Sequence, residues 1–137
     1  MTDLPGVFEF STDISDAKPP EPLPVGEYRA TVRSAEIGLS KSSGNPMMTL
    51  AYVIDAAQYP ADYTDGNPDG TTLMNYKSLA DTISNRYLTK LFCEMHGVVP
   101  GKRINANEFI GQDVMVSISH EAFNGLMQAR LRPERSA

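Results

Sequence analysis

The first alternating apolar stretch of this chain changes phase partway along its length. Apolar side chains first occupy the even-numbered positions Tyr28, Ala30 and Val32, and then the odd-numbered positions Ala35, Ile37 and Leu39. No turn signal separates the two sets. Successive side chains of a strand point to opposite faces, so the shift predicts one extra residue, a β-bulge near Arg33-Ser34. A long first strand that bends in this way and serves two sheets is what a small closed or half-closed barrel needs.

Four more strands and one helix are predicted after this strand. The strand patterns lie at Met47–Ile54, at about Thr71–Leu79, around Val114–Ile118, and after a turn at Glu121–Gly125. In the second strand the heavier face is predicted to point inward, and it consists of Met48, Leu50, Tyr52 and Ile54.

The helix is predicted to begin at Asp81 or Ser84 and to run through His96, with Gly97 as its C-cap. A stripe of apolar residues at helical spacing is predicted to face the core: Tyr87, Leu88, Leu91, Phe92 and Met95.

The order strand–strand–strand–helix–strand–strand predicts an all-β domain with one helix, the five-stranded oligonucleotide-binding (OB) barrel, in which the helix follows the third strand and plugs the barrel. A β-sandwich is the rival architecture, and the helix between strands three and four counts against it. We therefore divide the chain into an extended, acidic, Pro-rich N-terminal arm at residues 1–24, an OB-fold domain at 25–132 and a short C-terminal tail at 133–137.

The charge of the chain is unevenly distributed. Residues 1–27 hold six acids and one lysine, which accounts for the whole formal net charge of −5, while residues 28–137 hold 11 acids and 11 bases. The acidic arm is either a built-in competitor for a cationic groove, a docking tail, or a solvated extension. Phe8 and Phe10 could attach it to the barrel or to a neighbouring subunit.

Several function classes are excluded by the residue inventory. The single Cys93 allows no intrachain disulfide, and no Cys/His cluster has zinc-ligand spacing, so no metal or other cofactor is predicted. His96 and His120 are the only histidines, and neither is spaced from Cys93 as a nucleophile pair would be; no enzyme is predicted. The acidic start and the lack of a long apolar run predict no signal peptide, no membrane association and a cytoplasmic protein.

A calcium loop is the remaining metal hypothesis. The segment Asp65–Gly70 matches the first half of an EF-hand loop, but Tyr76 stands at its twelfth position where a bidentate glutamate is required. A turn with incidental carboxylates is the favoured interpretation, and a calcium-responsive interaction module stays open as a third function.

Several segments together resemble the small single-stranded DNA-binding proteins of bacteriophages, which have an OB fold and are often catalogued as phage proteins of unknown function. The similarity covers about Leu23 to Arg132 and rests on the order of LPVGEY, SKSSGNPMM, the helix end at Met95-His96-Gly97, FIGQDVMVSI and the hairpin at Asn124-Gly125. It implies a phage or prophage protein of replication and recombination, located in the bacterial cytoplasm. Many such proteins end in an acidic tail, whereas this chain ends in RLRPERSA.

Single-strand binding requires cations for phosphates and flat side chains on which bases stack. The predicted nucleic-acid-binding residues are Arg29, Arg33, Lys41, Tyr52, Tyr76, Lys77, Phe123 and Arg130, with Arg132 as a further cation. Burial of Tyr52 and Tyr76 in the barrel is the alternative for both tyrosines, and it is favoured for Tyr52, which lies on the inward face.

These observations predict a non-catalytic, sequence-nonspecific single-stranded DNA-binding protein that can also be a homo-oligomer. The alternative is an OB-fold protein–protein adaptor that engages replication or recombination proteins, and the neutral charge of the barrel keeps it open.

Overall fold

The computed structural model describes residues 6–137, and within them it contains five β-strands and one α-helix. The elements are β1 (Gly26–Leu39), β2 (Pro46–Ile54), β3 (Thr71–Ser78), α1 (Ile83–Met95), β4 (Asp113–Phe123) and β5 (Leu126–Ser136). Short 3₁₀ turns lie at Ile14–Asp16, Ala56–Gln58 and Ala106–Glu108. Of the helices in the described residues, none has the length and apolar character needed to cross a membrane.

The five strands form one antiparallel sheet in the order β3-β2-β1-β4-β5. β1 is its central strand: the first part pairs with β4 and the longer second part with β2. The predicted bulge is confirmed, because Val32 lies opposite Tyr52 and Ser34 opposite Ala51, so that Arg33 is the extra residue. β1 can therefore change direction between its two partners.

The inward faces of the strands form the core as predicted for β1 before the bulge, for β2 and for β4. The largest fully buried side chains include Tyr52, Phe109, Leu23, Met48, Leu50, Ile54 and Ile118. After the bulge the prediction holds only for Ala35. Ile37 is 46% exposed and Leu39 72% exposed, because this end of β1 continues past the core into the hairpin with β2.

The ends of α1 follow the prediction within two residues. The side chain of Thr82 accepts a hydrogen bond from the Asn85 amide, which caps the first turn. The C-cap is His96, one residue before the predicted Gly97. Gly97 follows it with a φ of +69°, and its N–H donates to the Glu94 carbonyl, as is typical of a glycine that ends a helix.

The predicted core-facing stripe of α1 is wrong for Tyr87 and Leu88, whereas Phe92 is buried and Leu91 and Met95 are half-buried. Tyr87 and Leu88 are more than half exposed, and the buried side of the helix instead consists of Phe92 and Cys93, followed by the cap residue His96. Compared with the prediction, α1 is rotated about its axis so that the polar side chain of His96 enters the core. This orientation is stable because both nitrogens of the His96 ring form hydrogen bonds.

The last two strands are longer than predicted. β4 continues to Phe123, and a two-residue turn at Asn124-Gly125, with φ values of 51° and 78°, leads directly into β5. The predicted turn from Glu121 is therefore wrong. The tail at 133–137 is also not separate, since β5 runs to Ser136 and Pro133 is buried.

The arm joins the domain before its predicted end. Leu23 is buried, and its carbonyl accepts a hydrogen bond from His120 Nε2 at 2.8 Å. The Tyr63 hydroxyl donates to the Glu21 carbonyl at 3.0 Å. Phe8 and Phe10 are exposed and contact each other, with ring centroids 5.1 Å apart. The first five residues, which include Asp3 of the acidic arm, lie outside the described part.

Candidate nucleic-acid interface

The outer surface of β3 presents an aromatic ring. Its side chains alternate between a half-buried set and an exposed set, and Tyr76 in the exposed set has 61% of its surface accessible. Met74, two residues earlier on the same side, is also exposed. Of the two interpretations of Tyr76, the structure therefore supports the surface position over the barrel core.

The strand register extends this surface across three strands. Two rows of paired residues cross β3, β2 and β1 in that order. The first row is Tyr76, Thr49 and Glu36, and the second row is Met74, Ala51 and Ser34. We call this surface the β1–β3 face, and it consists of Arg33, Ser34, Glu36, Thr49, Met74 and Tyr76. A base can reach the Tyr76 ring here without any rearrangement of the core.

One of the predicted cations belongs to this face and another lies in the loop next to it. Arg33 is exposed at the bulge, and Lys41 is exposed in the loop that joins β1 to β2. Among residues 6–137 neither side chain takes part in an ion pair. Both cations are available to a phosphate.

Four members of the face were missed by the sequence analysis, and two of them, Met74 and Glu36, affect what the face can bind. Met74 could have been found from the alternation of β3, since it shares the parity of Tyr76. Glu36 places a negative charge in the same row as Tyr76, and nothing in its neighbourhood along the chain marks it as part of this surface. It works against phosphate binding at that end of the face.

Arg29 faces outward as predicted, but it forms an ion pair. Its guanidinium lies 2.7 Å from Asp113 of β4, and the Thr31 hydroxyl donates to the other carboxylate oxygen at 2.6 Å. These two hydrogen bonds, with that from Thr31 the stronger influence, hold the pKa of Asp113 below its ordinary value. Arg29 therefore already has an anionic partner, and it can contact a phosphate only if its ion pair with Asp113 opens.

The cations of β5 are paired in the same way. Arg130 lies 2.6 Å from Glu121, Arg132 lies 4.0 Å from Glu134, and Arg135 pairs with Glu27 of β1. The Arg135 hydrogen bond lowers the pKa of Glu27. The outer surface of β4 and β5 is thus charge-balanced, although the sequence predicted Arg130 and Arg132 as part of a cationic track.

Lys77 points away from the β1–β3 face. Its Nζ donates to Asn85 Oδ1 at 2.9 Å and to the Ser78 carbonyl at 3.0 Å, and its partial burial lowers its pKa. The opposite orientations of Tyr76 and Lys77 agree with the prediction from strand geometry. Lys77 connects the end of β3 to the start of α1, so its placement corrects the assignment of Lys77 to the phosphate track.

Tyr52 is fully buried, and this corrects its assignment as a stacking residue. Its hydroxyl lies 2.6 Å from His96 Nε2, while His96 Nδ1 lies 2.6 Å from the Phe92 carbonyl. A carbonyl oxygen only accepts, so Nδ1 carries the proton and Nε2 accepts from the tyrosine. No ring face of Tyr52 is left for a base.

Phe123 is exposed, but it is the last residue of β4 and not part of a loop. It lies opposite Leu126, which is also exposed, beside the turn at Asn124-Gly125. The pair forms a small apolar tip at the end of the β4–β5 hairpin.

The acidic loop between β2 and β3 is held by its tyrosines. The rings of Tyr59 and Tyr63 meet edge to face at 5.3 Å, and the Asp65 carboxylate accepts a hydrogen bond from the Glu21 amide. Asn67 Oδ1 accepts from the Asp69 amide, as in a turn. In the described part of the chain no group of three or more potential ligand residues could hold a metal ion.

Comparison with protein families identifies a family for this chain. No curated protein matches the chain. The family described as "Protein of unknown function (DUF669)" matches residues 10–125, which include the second half of the arm, the β1–β3 face, the helix and all of β4. Because the match covers most of the sequence, the chain belongs to the DUF669 family.

Proposed function

We propose that this protein is a sequence-nonspecific single-stranded DNA-binding protein with an OB fold. Three features support the fold: the strand order β3-β2-β1-β4-β5, the helix between the third and fourth strands, and the contact of β3 with β5, which brings the two edge strands of the sheet together. A five-stranded, partly open barrel has this arrangement, and its second and third strands with the adjoining loops commonly bind oligonucleotides.

The observation that carries the proposal is the exposed Tyr76 ring on the β1–β3 face, with Arg33 and Lys41 beside it. Stacking on an aromatic ring is tolerant of sequence because every base has a π-face. The two cations follow the phosphates at the edge of the face, and Met74 extends the apolar contact. By its resemblance to the phage proteins, we assign the protein a role in protecting single strands during phage or prophage replication and recombination.

The experiment is a titration of the full-length protein with a fluorescent oligothymidine and with a duplex of the same length. We expect the single strand to bind more tightly, because stacking requires exposed base faces. Tyr76→Ala should cost about 1–3 kcal/mol of binding free energy. Tyr87→Ala is the matched control, since Tyr87 on α1 is 60% exposed and lies outside the β1–β3 face. Equal binding of both probes, or equal losses in both variants, would contradict the proposal.

The paired arginines favour a second candidate, a protein–protein adaptor. Arg29, Arg130 and Arg135 all have carboxylate partners, so the barrel offers fewer available cations than single-strand binding usually employs. In this case the β1–β3 face would contact a replication or recombination protein. The same titration separates the two candidates, because an adaptor leaves oligothymidine unbound with or without Tyr76.

A further inference from the structure

One surface of α1 combines apolar and cationic side chains that nothing in the described part of the chain covers. Ile83, Arg86, Tyr87 and Lys90 are spaced as neighbours on one helical face, and all four are exposed. Ile83 and Tyr87 are both more than half exposed, so together they form an apolar patch that another molecule can cover.

A cavity of about 650 Å³ opens beside this face, between α1, the end of β3 and the segment before β4. Its apolar lining includes Leu79 and Ile104, and its charged lining is Asp81, Arg86, Lys90 and Lys102, a net charge of +2. Asp81 lies 2.6 Å from Arg86 and balances it, while Lys90 and Lys102 form no ion pair among residues 6–137. The cavity is therefore apolar at its wall and positive at its rim.

The N-terminal arm has the complementary character. Between residues 7 and 16 it carries three acids and no base, and its four large apolar side chains are all more than half exposed: Val7, Phe8, Phe10 and Ile14. Glu9 lies between the two phenylalanines, so apolar and negative groups alternate as apolar and positive groups do on α1.

We propose that residues 7–16 of one copy of the chain dock on α1 and its cavity in a second copy. The phenylalanines would cover Tyr87 and the apolar wall, and Glu9 and Asp13 would pair with Lys90 and Lys102. Within a single chain the arm is attached at Glu21 and Leu23 by Tyr63 and His120, near the end of β2 that carries Ile54. The cavity lies at the other end of β2, where the Leu79 amide donates to the Pro46 carbonyl.

The observed position of the arm favours docking between copies. The two ends of β2 are about 26 Å apart at 3.3 Å per residue. In one chain the two phenylalanine rings contact each other and both are more than half exposed, so most of the arm's apolar surface remains uncovered. The inference is independent of the DNA-binding proposal, because it involves neither Tyr76 nor the β1–β3 face.

The test is the oligomeric state of the full-length protein, measured by sedimentation velocity over a wide concentration range. We expect concentration-dependent self-association that weakens as salt is raised, since the charged contacts are exposed. Phe8→Ser/Phe10→Ser and Lys90→Glu/Lys102→Glu should each weaken association by about tenfold or more, the loss typical of anchor residues. A mixture of these two variants should associate again, because one chain supplies an intact cavity and the other an intact arm.

Two control variants make the same kinds of substitution at residues outside the arm and the cavity. Phe123→Ser/Leu126→Ser removes exposed apolar groups from the β4–β5 hairpin, and Arg33→Glu/Lys41→Glu reverses two exposed cations that do not line the cavity. Both should associate like the unmodified protein. The proposal is overturned if the unmodified protein is monomeric at every concentration, if the arm variant associates undiminished, or if the mixture fails to recover association.

Discussion

At the scale of single residues, the buried pair of Tyr52 and His96 combines two polar side chains with no unsatisfied atom. The tyrosine hydroxyl donates to Nε2, and Nδ1–H donates to the Phe92 carbonyl, both at 2.6 Å. Burial lowers the pKa of His96 and raises that of Tyr52, so both side chains are neutral. A proton added to Nε2 would remove the acceptor of the tyrosine and place a charge in the core.

This arrangement makes stability depend on pH. In the folded protein the pKa of His96 lies below its ordinary value of about 6.5, so the unfolded chain takes up the proton first as pH falls. We expect the free energy of unfolding to be constant above about pH 7 and to decrease as pH falls below about 6.5. Urea titrations across this range measure it.

Two variants assign the effect to His96. His96→Gln should unfold more easily at neutral pH but lose most of the pH dependence in this window, whereas His120→Gln should keep it. Asp113 and Glu27 have lowered pKa values, so their contribution is lost only at pH values well below this window. An unchanged pH dependence in His96→Gln would show that another group is responsible.

Lys77 contributes to stability through its contacts with the start of α1. Lys77→Met removes the hydrogen bonds to Asn85 and the Ser78 carbonyl while keeping the length of the side chain. We expect a loss of about 1 kcal/mol in the free energy of unfolding, from thermal or urea denaturation. The salt dependence of oligonucleotide binding should not change, and a reduced dependence would return Lys77 to the phosphate track.

At the scale of elements, the features of the fold that could be predicted are those marked by a pattern among residues close together in the sequence. The bulge in β1 and the inward faces of β2 and β4 follow from a period of two in the sequence. The buried side of α1 could not be found in this way, because the burial of His96 depends on Tyr52, which is 44 residues away in the chain. The far ends of β4 and β5 extend beyond the core, so both of their faces are exposed and no alternation marks them.

The same distinction explains the outcome for the candidate site. Tyr76 and Met74 share a face because β3 alternates, and this much is visible in the sequence. That their face is the exposed one is not visible, because the opposite set includes the polar Asn75 and Lys77. The pairing of Arg29 with Asp113 joins residues 84 positions apart, and that of Arg135 with Glu27 joins residues 108 apart. Whether an arginine is available to a phosphate depends on such long-range neighbours, which composition and spacing do not reveal.

The entry to β3 depends on Gly70. Its φ is +100°, and a Cβ at this position would lie 2.9 Å from the Ile54 carbonyl oxygen. Gly70→Ala should therefore lower the free energy of unfolding by about 1–3 kcal/mol, measured by urea denaturation. Gly101→Ala is the control, because Gly101 has no positive φ and open space around it, and it should be neutral. Equal stability of the two variants would mean that β3 can shift to relieve the contact.

At the scale of the whole molecule, the distribution of charge decides how the protein can bind a polyanion. The net charge of −5 belongs to residues 1–27, and the remaining chain is neutral. Within that neutral part the β4–β5 side is balanced by ion pairs, whereas the β1–β3 face and the cavity beside α1 have cations without partners in the described chain. These two places are the ones to which we assign anionic groups in our proposals, nucleic acid at the first and the acidic arm at the second.

If the protein binds DNA as we propose, the number of available cations sets the salt dependence of that binding. Each phosphate contact with a single strand contributes about −0.7 to the slope of log affinity against log salt, so Arg33 and Lys41 together predict a slope of about −1.4. Arg33→Gln and Lys41→Gln should each reduce its magnitude by about 0.7, measured with oligothymidine at several salt concentrations. Arg130→Gln should leave the slope unchanged, because that guanidinium lies 2.6 Å from Glu121. The contrary outcome is a slope steeper than about −1.4 whose magnitude decreases in Arg130→Gln. It would mean that the ion pairs of β5 open when DNA binds and that the DNA strand extends from the β1–β3 face across β4 and β5.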